Sequence, residues 1–111
     1  MFNFLNMFGN YEERKVDRYE GEGLMVSTAA VNDSTKPYET AVKHIDYKDD
    51  KHIIVELYDT KEEAKAGHDK WVGVMTAKTL PVELIDVSTS EIFEVADVLG
   101  VAMNRTFKKN N

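Results

Sequence analysis

The strongest constraint on the fold of this chain is a pair of β-rich runs, residues 38–45 and 52–58, separated by the polar stretch 46–51. Side chains of the first run fall into two alternating sets: Tyr38, Thr40, Val42 and His44 in one, and Glu39, Ala41, Lys43 and Ile45 in the other. Such alternation is typical of a strand whose two faces meet different surroundings. The second run, HIIVELY, is rich in β-branched residues. The sequence therefore predicts a hairpin with a long turn over 38–58.

A helix is predicted directly after this hairpin. Thr60 and Glu63 have the spacing of a capping box, in which the threonine hydroxyl accepts from the glutamate amide. The side chains expected to face the sheet recur at the helical period: Ala64, His68, Trp71, Val72 and Met75. The helix is expected to run from about residue 61 to about residue 77. We interpret His68 as a core histidine and Trp71 as an anchor of the core, with a stacking platform for a ligand as the alternative for Trp71.

Other segments predict further strands. Residues 24–31, with β-branched side chains and no helix cap, favour a central strand. Residues 11–20 suit an edge strand or an extended lead-in, and the alternating residues 101–107 suit a last strand. The segment 82–87 fits either a short helix or a strand.

A second helix completes the expected fold. Ser88 and Glu91 repeat the capping spacing, so a helix is predicted over 89–99, with Gly100 as its C-terminal stop. We therefore expect a single α+β domain over 1–111. It consists of a small antiparallel sheet of about four strands, packed by two helices, 61–77 and 89–99, with a short N-terminal amphipathic helix.

The N-terminal helix is predicted within residues 1–9. Its apolar side chains Met1, Phe4, Leu5 and Phe8 share one helical face. A helix of two turns is not stable alone, so this face is expected to pack on its own domain or on another subunit. The run lacks a basic leading segment and is too short to span a bilayer, so we expect a cytoplasmic protein without membrane contact.

Charge limits the partners that this chain can bind. Its 14 basic and 20 acidic side chains give a net charge of −6. Residues 1–100 hold eleven basic and twenty acidic groups, a net −9, whereas residues 101–111 carry +3 and include the polar basic tail 108–111. An acidic body repels phosphate backbones, so a long nucleic acid is not an expected partner, although a compact anion is compatible.

Motifs of enzyme chemistry are missing from the sequence. The chain has no cysteine, no P-loop, no dinucleotide-binding glycine fingerprint, no GxSxG and no HExxH. Carboxylate pairs such as Glu62 with Glu63 occur in charged surface contexts, which do not favour acid or base chemistry. The sequence therefore predicts no catalytic residues and no cofactor.

Two histidines of the hairpin are candidate metal ligands. A turn centred on Lys48 places His44 opposite His52 and Asp46 opposite Asp50. Imidazole and carboxylate groups suit zinc, nickel or manganese. A hydrated hairpin tip, however, is rich in polar residues for solubility alone, and this spacing matches no established metal motif. We therefore predict no metal site and keep His44 and His52 as weak candidates.

Several segments of the chain share one resemblance. They are YETAVKH at 38–44, VELYDTKEEA at 55–64, the residues Gly67, His68, Lys70, Trp71 and Val72, FGNYEERKVDRYE at 8–20, and DVSTSEI at 86–92. With these segments the chain resembles a group of small proteins encoded by tailed bacteriophages. The resemblance implies either an accessory protein of the virion or its assembly, or a counter-defence protein. Other small phage proteins of the latter kind form oligomers and sequester a host nucleotide second messenger or bind a host immune protein.

We predict the counter-defence role, in which a homo-oligomer binds a small anionic nucleotide-type ligand or a host defence protein in the host cytoplasm. Such a ligand needs aromatic rings for its bases and donors for its phosphates. The candidate residues are Tyr38, Tyr58 and Trp71 for stacking, Ser88, Thr89 and Ser90 at a helix N-terminus, and Lys43, Arg105, Arg14 and Arg18 for charge. A virion or assembly accessory protein, and a small enzyme acting on a nucleotide messenger, are the alternatives.

Overall fold

The computed structural model describes residues 14–32, 34–47, 51–88 and 105–110. The elements follow in chain order: strands β1 (Lys15–Gly21), β2 (Leu24–Ala30), β3 (Tyr38–His44) and β4 (Ile53–Tyr58), helix α1 (Lys61–Thr76), and strands β5 (Glu83–Ile85) and β6 (Thr106–Lys108). The first four strands form an antiparallel sheet in the order β1-β2-β3-β4. Strands β5 and β6 form a separate two-stranded antiparallel sheet.

The predicted fold class, a sheet packed by two helices, was wrong. The described residues contain one helix and six strands in two sheets, so the architecture is mostly sheet. The segment 82–87, which fitted a helix or a strand, contributes β5. Its pairing with β6 is a contact between residues far apart in sequence, and local patterns do not encode such contacts. The predicted helices within 1–9 and over 89–99 lie outside the described residues.

The larger sheet has an inner and an outer face. Val26 and Thr28 on β2, and Val42 and Thr40 on β3, are completely buried. The strand register pairs Val26 with Val42 and Thr28 with Thr40, so the four side chains share the inner face, on which α1 packs. The residues between them point to the opposite, outer face.

The turn between β1 and β2 requires a glycine. Gly21 pairs with Leu24, which leaves Glu22 and Gly23 to form the turn. Gly23 has a φ of 68°, a left-handed conformation that glycine adopts without steric cost. The Ile45 side chain lies against Gly23, and the Ile45 amide donates to the Gly23 carbonyl at 3.0 Å. This turn is therefore held against the end of β3.

Strand β4 contains a one-residue irregularity in its pairing with β3. Thr40 pairs with Glu56, but Ala41 pairs with Ile54, so Val55 has no partner in the register. Both Ile53 and Val55 are buried as a result. Glu56 lies on the inner face beside Thr40, in the part of the register that pairs Tyr38 with Tyr58 and precedes the irregularity.

Helix α1 begins as the capping spacing predicts. The Glu63 amide donates to the Thr60 hydroxyl oxygen at 3.1 Å, and that hydroxyl donates to the Glu63 carboxylate at 3.1 Å. The helix ends at Thr76, one residue before the predicted end. Its buried residues are Ala64, Gly67, His68 and Met75, while Trp71 and Val72 are half-buried against the core.

The core extends from the inner face to the small sheet. Its buried cluster consists of Val26, Val42, Tyr47, Ile53, Val55, Met75 and Leu84. Leu84 of β5 is paired with Phe107 of β6, which packs against this cluster. The Tyr47 hydroxyl donates to the Pro81 carbonyl at 2.5 Å and ties the end of β3 to the approach to β5. Within the described part of the chain, no helix is long and apolar enough to cross a membrane.

Candidate functional site

The aromatic residues predicted to stack on a ligand do not form a common platform. Tyr38 and Tyr58 are paired across β3 and β4, but Tyr58 is buried under α1. Trp71 is half-buried against the core, as expected for an anchor, and its indole Nε1 donates to the Glu56 carboxylate at 2.9 Å. The Lys70 ammonium lies 5.4 Å from the centre of the Trp71 ring. These contacts give Tyr58 and Trp71 structural partners within the fold.

Two of the predicted polar residues meet elsewhere. The Arg105 guanidinium donates to the Ser88 carbonyl at 3.2 Å, and the Ser88 amide donates to the Asp86 carboxylate at 2.8 Å. These bonds fasten the chain beyond β5 to the start of β6. The other two hydroxyl candidates, Thr89 and Ser90, lie outside the described residues.

The two histidines considered as metal ligands lie on different faces of the sheet. His44 follows Thr40 and Val42 on the inner face, and its Nδ1 accepts from the Asp46 amide at 2.9 Å. Its partner in the register is Leu24 on β2. His52 instead lines a cleft with Lys43, whose position in β3 belongs to the outer face. Among the described residues, no three histidine, aspartate or glutamate side chains converge to hold a metal ion.

A cleft on the outer face brings together three basic side chains, Arg18, Lys43 and His52. This outer cleft has a volume of about 380 Å³ and is lined by Arg18, Glu20, Gly21, Gly23, Leu24, Met25, Lys43 and His52. The register explains the convergence, since Met25 is the neighbour of Glu20 on one side and of Lys43 on the other. Three side chains that can carry positive charge thus border a floor of apolar side chains and glycine backbone.

One acidic group balances part of the charge in the outer cleft. The Glu20 carboxylate accepts from the Arg18 guanidinium at 2.5 Å. Both side chains are well exposed, and such an ion pair is worth at most about 1 kcal/mol. The pair with Glu20 therefore holds Arg18 at little energetic cost, and Lys43 supplies a second basic group to the cleft.

A polar chain crosses the inner face beneath α1 and is buried except at its Glu56 end. It consists of the side chains of His68, Thr28, Thr40, Tyr58 and Glu56, in that spatial order. His68 Nδ1 lies 2.8 Å from the Thr28 hydroxyl, which lies 2.6 Å from the Thr40 hydroxyl. The Thr40 hydroxyl lies 3.0 Å from the Tyr58 hydroxyl, which donates to the Glu56 carboxylate at 3.1 Å.

The carboxylate gives this polar chain a direction. Burial raises the pKa of Glu56, but hydrogen bonds from Lys70, Trp71 and Tyr58 outweigh burial, so the pKa lies below its usual value and the group is ionised. An ionised carboxylate can only accept hydrogen bonds, so Tyr58 spends its one hydroxyl hydrogen on Glu56. The Tyr58 oxygen must then accept from Thr40.

The same reasoning continues to the histidine. The Thr40 hydroxyl donates its hydrogen bond to Tyr58, so its oxygen must accept one from Thr28. The Thr28 oxygen must in turn accept a hydrogen bond from His68. Nδ1 of His68 therefore carries a hydrogen. Burial lowers the pKa of His68, against the raising effect of Asp17, so the ring is neutral and Nε2 is left with a lone pair.

Residue Gly67 allows the polar chain to lie so close to the helix. A Cβ atom at Gly67 would overlap the Tyr58 ring and hydroxyl. The sequence analysis did not predict this polar chain, although the sequence contains a pattern that indicates it. Two threonines occupy inward positions on adjacent strands, and a histidine lies on the inward face of the helix that follows.

The chain was compared with protein-family models, curated proteins and solved structures, and no match was found. The resemblance to small phage proteins therefore stays a prediction.

Proposed function

We propose that the protein is a non-enzymatic binding protein whose outer cleft takes a small anionic ligand of the nucleotide type. The observation that carries this proposal is the convergence of Arg18, Lys43 and His52 in one cleft. In a chain of net charge −6, such a group of basic side chains is a local exception.

Size and charge favour a compact ligand. A cleft of about 380 Å³ falls in the lower part of the range that holds small molecules. The acidic body repels a long polyanion at distances comparable to the Debye length, whereas a compact anion contacts mainly the basic cleft. Recognition would combine charge from Arg18 and Lys43 with an apolar contact from Met25.

The phage resemblance supplies the biological context of the proposal. A phage protein that binds a nucleotide-type ligand without converting it would lower the concentration of a host second messenger. We therefore propose sequestration of such a messenger as the way in which the protein counteracts host defence.

Isothermal titration calorimetry with 5′-AMP, cyclic dinucleotides and cyclic ADP-ribose isomers tests the binding proposal. At least one compound should bind, and its affinity should decrease with added salt. Heating the complex should release the compound chemically unchanged. Lys43→Gln should weaken binding by about tenfold or more, because it removes a charge-assisted contact. Lys61→Gln, at the exposed start of α1, is the matched control and should leave the affinity unchanged.

Two results would reject the proposal. One is the lack of binding to every compound tested, and the other is an equal loss of affinity in both lysine variants. A ligand released in chemically altered form would instead indicate an enzyme. A protein that copurifies with virions and is required in hosts without defence systems would indicate the accessory role.

A further inference from the structure

A second concave surface lies between β1 and α1, on the inner side of the sheet. This side depression has a volume of about 230 Å³ and is lined by Asp17, Arg18, Tyr19, His68, Asp69 and Val72. Asp17 and Asp69 supply two carboxylates, and Tyr19 and Val72 supply apolar surface. The side depression therefore combines two carboxylates with apolar surface, and Arg18 also lines it.

One polar atom in the side depression has no hydrogen-bond partner. The His68 side chain is 3% exposed, and Nδ1 is used by Thr28. Within the described residues, Nε2 has only the Asp17 carboxylate oxygen Oδ2 beside it, at 3.9 Å, which is beyond hydrogen-bond length. Every fully buried side-chain nitrogen and oxygen in the described part has a partner, so Nε2 must reach the surface of the depression.

The direction of the polar chain makes Nε2 an acceptor. Because Nδ1 must donate to Thr28, a neutral His68 presents a lone pair at Nε2. Two acceptors, Nε2 and the Asp17 carboxylate, thus face the same space.

We propose that the side depression is a binding site for a primary ammonium group, which donates one hydrogen to His68 Nε2 and another to the Asp17 carboxylate. A single nitrogen placed about 2.8–3.0 Å from each acceptor fits their separation of 3.9 Å. The two carboxylates favour a positive charge, and Tyr19 and Val72 can contact a short alkyl group. A divalent metal fits less well, since no three ligating side chains converge among the described residues.

Lys65 is a built-in competitor for this site. Its ammonium donates to Asp17 Oδ2 at 2.6 Å and to the Asp69 carboxylate at 3.1 Å. Asp17 Oδ1 accepts from the Arg18 amide at 2.8 Å, which fixes the carboxylate. Oδ2 has a second lone pair for a ligand, so an incoming ammonium can share Asp17 with Lys65 or displace it.

The test uses n-butylammonium chloride as the probe and the full chain labelled with ¹⁵N-histidine. Before titration, the ¹⁵N spectrum should show His68 at about pH 7.5 as the neutral form with hydrogen on Nδ1. Butylammonium should then move the Nε2 resonance in a saturable way. Tetramethylammonium chloride carries the same charge but no N–H group and should leave the resonance in place.

Two variants connect the effect to the geometry. Asp17→Asn keeps the acceptor for the Arg18 amide but removes the charge, and should weaken butylammonium binding by about tenfold. Lys65→Met removes the competing ammonium and should tighten it by about fivefold. Lys61→Met, which removes a lysine charge from the same helix, is the control and should leave the affinity for butylammonium unchanged.

The proposal is overturned by any of three results: a proton on Nε2 of the free protein, no saturable shift up to about 100 mM butylammonium, or an equal response to tetramethylammonium. Unchanged affinity in Asp17→Asn would also overturn it. None of these results depends on the outer cleft, so this site and the anion site are tested separately.

Discussion

Replacing Gly67 by alanine should destabilise the protein, although the same change at Gly73 should stabilise it. Both glycines lie inside α1, where alanine is favoured over glycine by about 1 kcal/mol. The difference comes from their surroundings. A Cβ at Gly73 would meet nothing within 4 Å, whereas a Cβ at Gly67 would overlap the ring and hydroxyl of Tyr58.

The magnitude for Gly67→Ala follows from what Tyr58 must give up. Overpacking a buried site costs about 1–3 kcal/mol. If the ring moves aside, its hydrogen bonds with Thr40 and Glu56 are strained or lost, at about 1 kcal/mol for the neutral bond and more for the charged one. After the helix-propensity gain, we expect a net loss of about 2–3 kcal/mol in the free energy of unfolding. Gly73→Ala should gain about 0.5–1 kcal/mol.

Urea denaturation of the two variants and the wild type measures both changes. In thermal denaturation, the melting temperature of Gly67→Ala should fall by roughly 8–15 °C, and that of Gly73→Ala should rise by a few degrees. If Gly67→Ala were as stable as Gly73→Ala, Tyr58 would not contact the helix as described. The reasoning on the polar chain would then be wrong.

Three further predictions concern the same polar chain. Because burial lowers the pKa of His68, the folded protein favours the neutral ring, so its contribution to stability should be complete above about pH 6.5 and decrease as the pH falls below that value. The urea concentration at the unfolding midpoint of the wild type should therefore decrease between about pH 7 and pH 5.5. The decrease should be smaller in His68→Gln. A wild-type midpoint that does not change over this pH range would contradict the prediction. Burial raises the pKa of Tyr58 to about 12, so stability should fall as the pH rises above about 10. In the same assay Tyr58→Phe should reduce that fall but not abolish it, because burial raises the pKa of Tyr47 as well. Thr28→Val keeps the side-chain shape but leaves Nδ1 of His68 without an acceptor. The free energy of unfolding, measured by urea denaturation, should decrease by about 2–3 kcal/mol. A decrease below about 0.5 kcal/mol would show that this hydrogen bond contributes little.

Local features of the fold could be predicted from the sequence because neighbouring residues determine them. The cap formed by Thr60 and Glu63 depends on a spacing of three residues, and the helix starts where that spacing predicts. The alternation over 38–44 likewise placed Thr40 and Val42 on one buried face.

The pairing of strands could not be predicted in the same way. Tyr38 and Tyr58 are partners, as a turn centred on Lys48 requires, but Val55 adds one residue to β4 and shifts the pairing that follows. The assumed alignment of His44 with His52 is lost for this reason. A bulge depends on packing on both faces of a sheet, and the sequence of one strand does not reveal it.

The candidate sites show the same division. Lys43 and Arg18 were selected for charge, and His52 was only a weak candidate for metal binding. The register of the four strands brings them into one cleft. Tyr58 and Trp71 were selected as rings that could stack on a ligand, with a core anchor as the first interpretation of Trp71. Glu56 instead accepts a hydrogen bond from each of them, because the pairing of β3 with β4 and the packing of α1 bring these three side chains together.

The side chains of the polar chain occupy core positions where apolar side chains could pack, so their presence needs a physical explanation. Apolar side chains of similar volume would give comparable stability, since buried polar groups at best offset their own desolvation. Hydroxyl groups alone would leave the direction of the bonds undefined, because each can donate or accept. The ionised Glu56 removes that ambiguity, and three hydroxyl groups transmit its preference across the sheet to His68. The ionised carboxylate on β4 thereby determines that Nδ1 of His68 carries the hydrogen and that Nε2 presents a lone pair to the side depression beside β1.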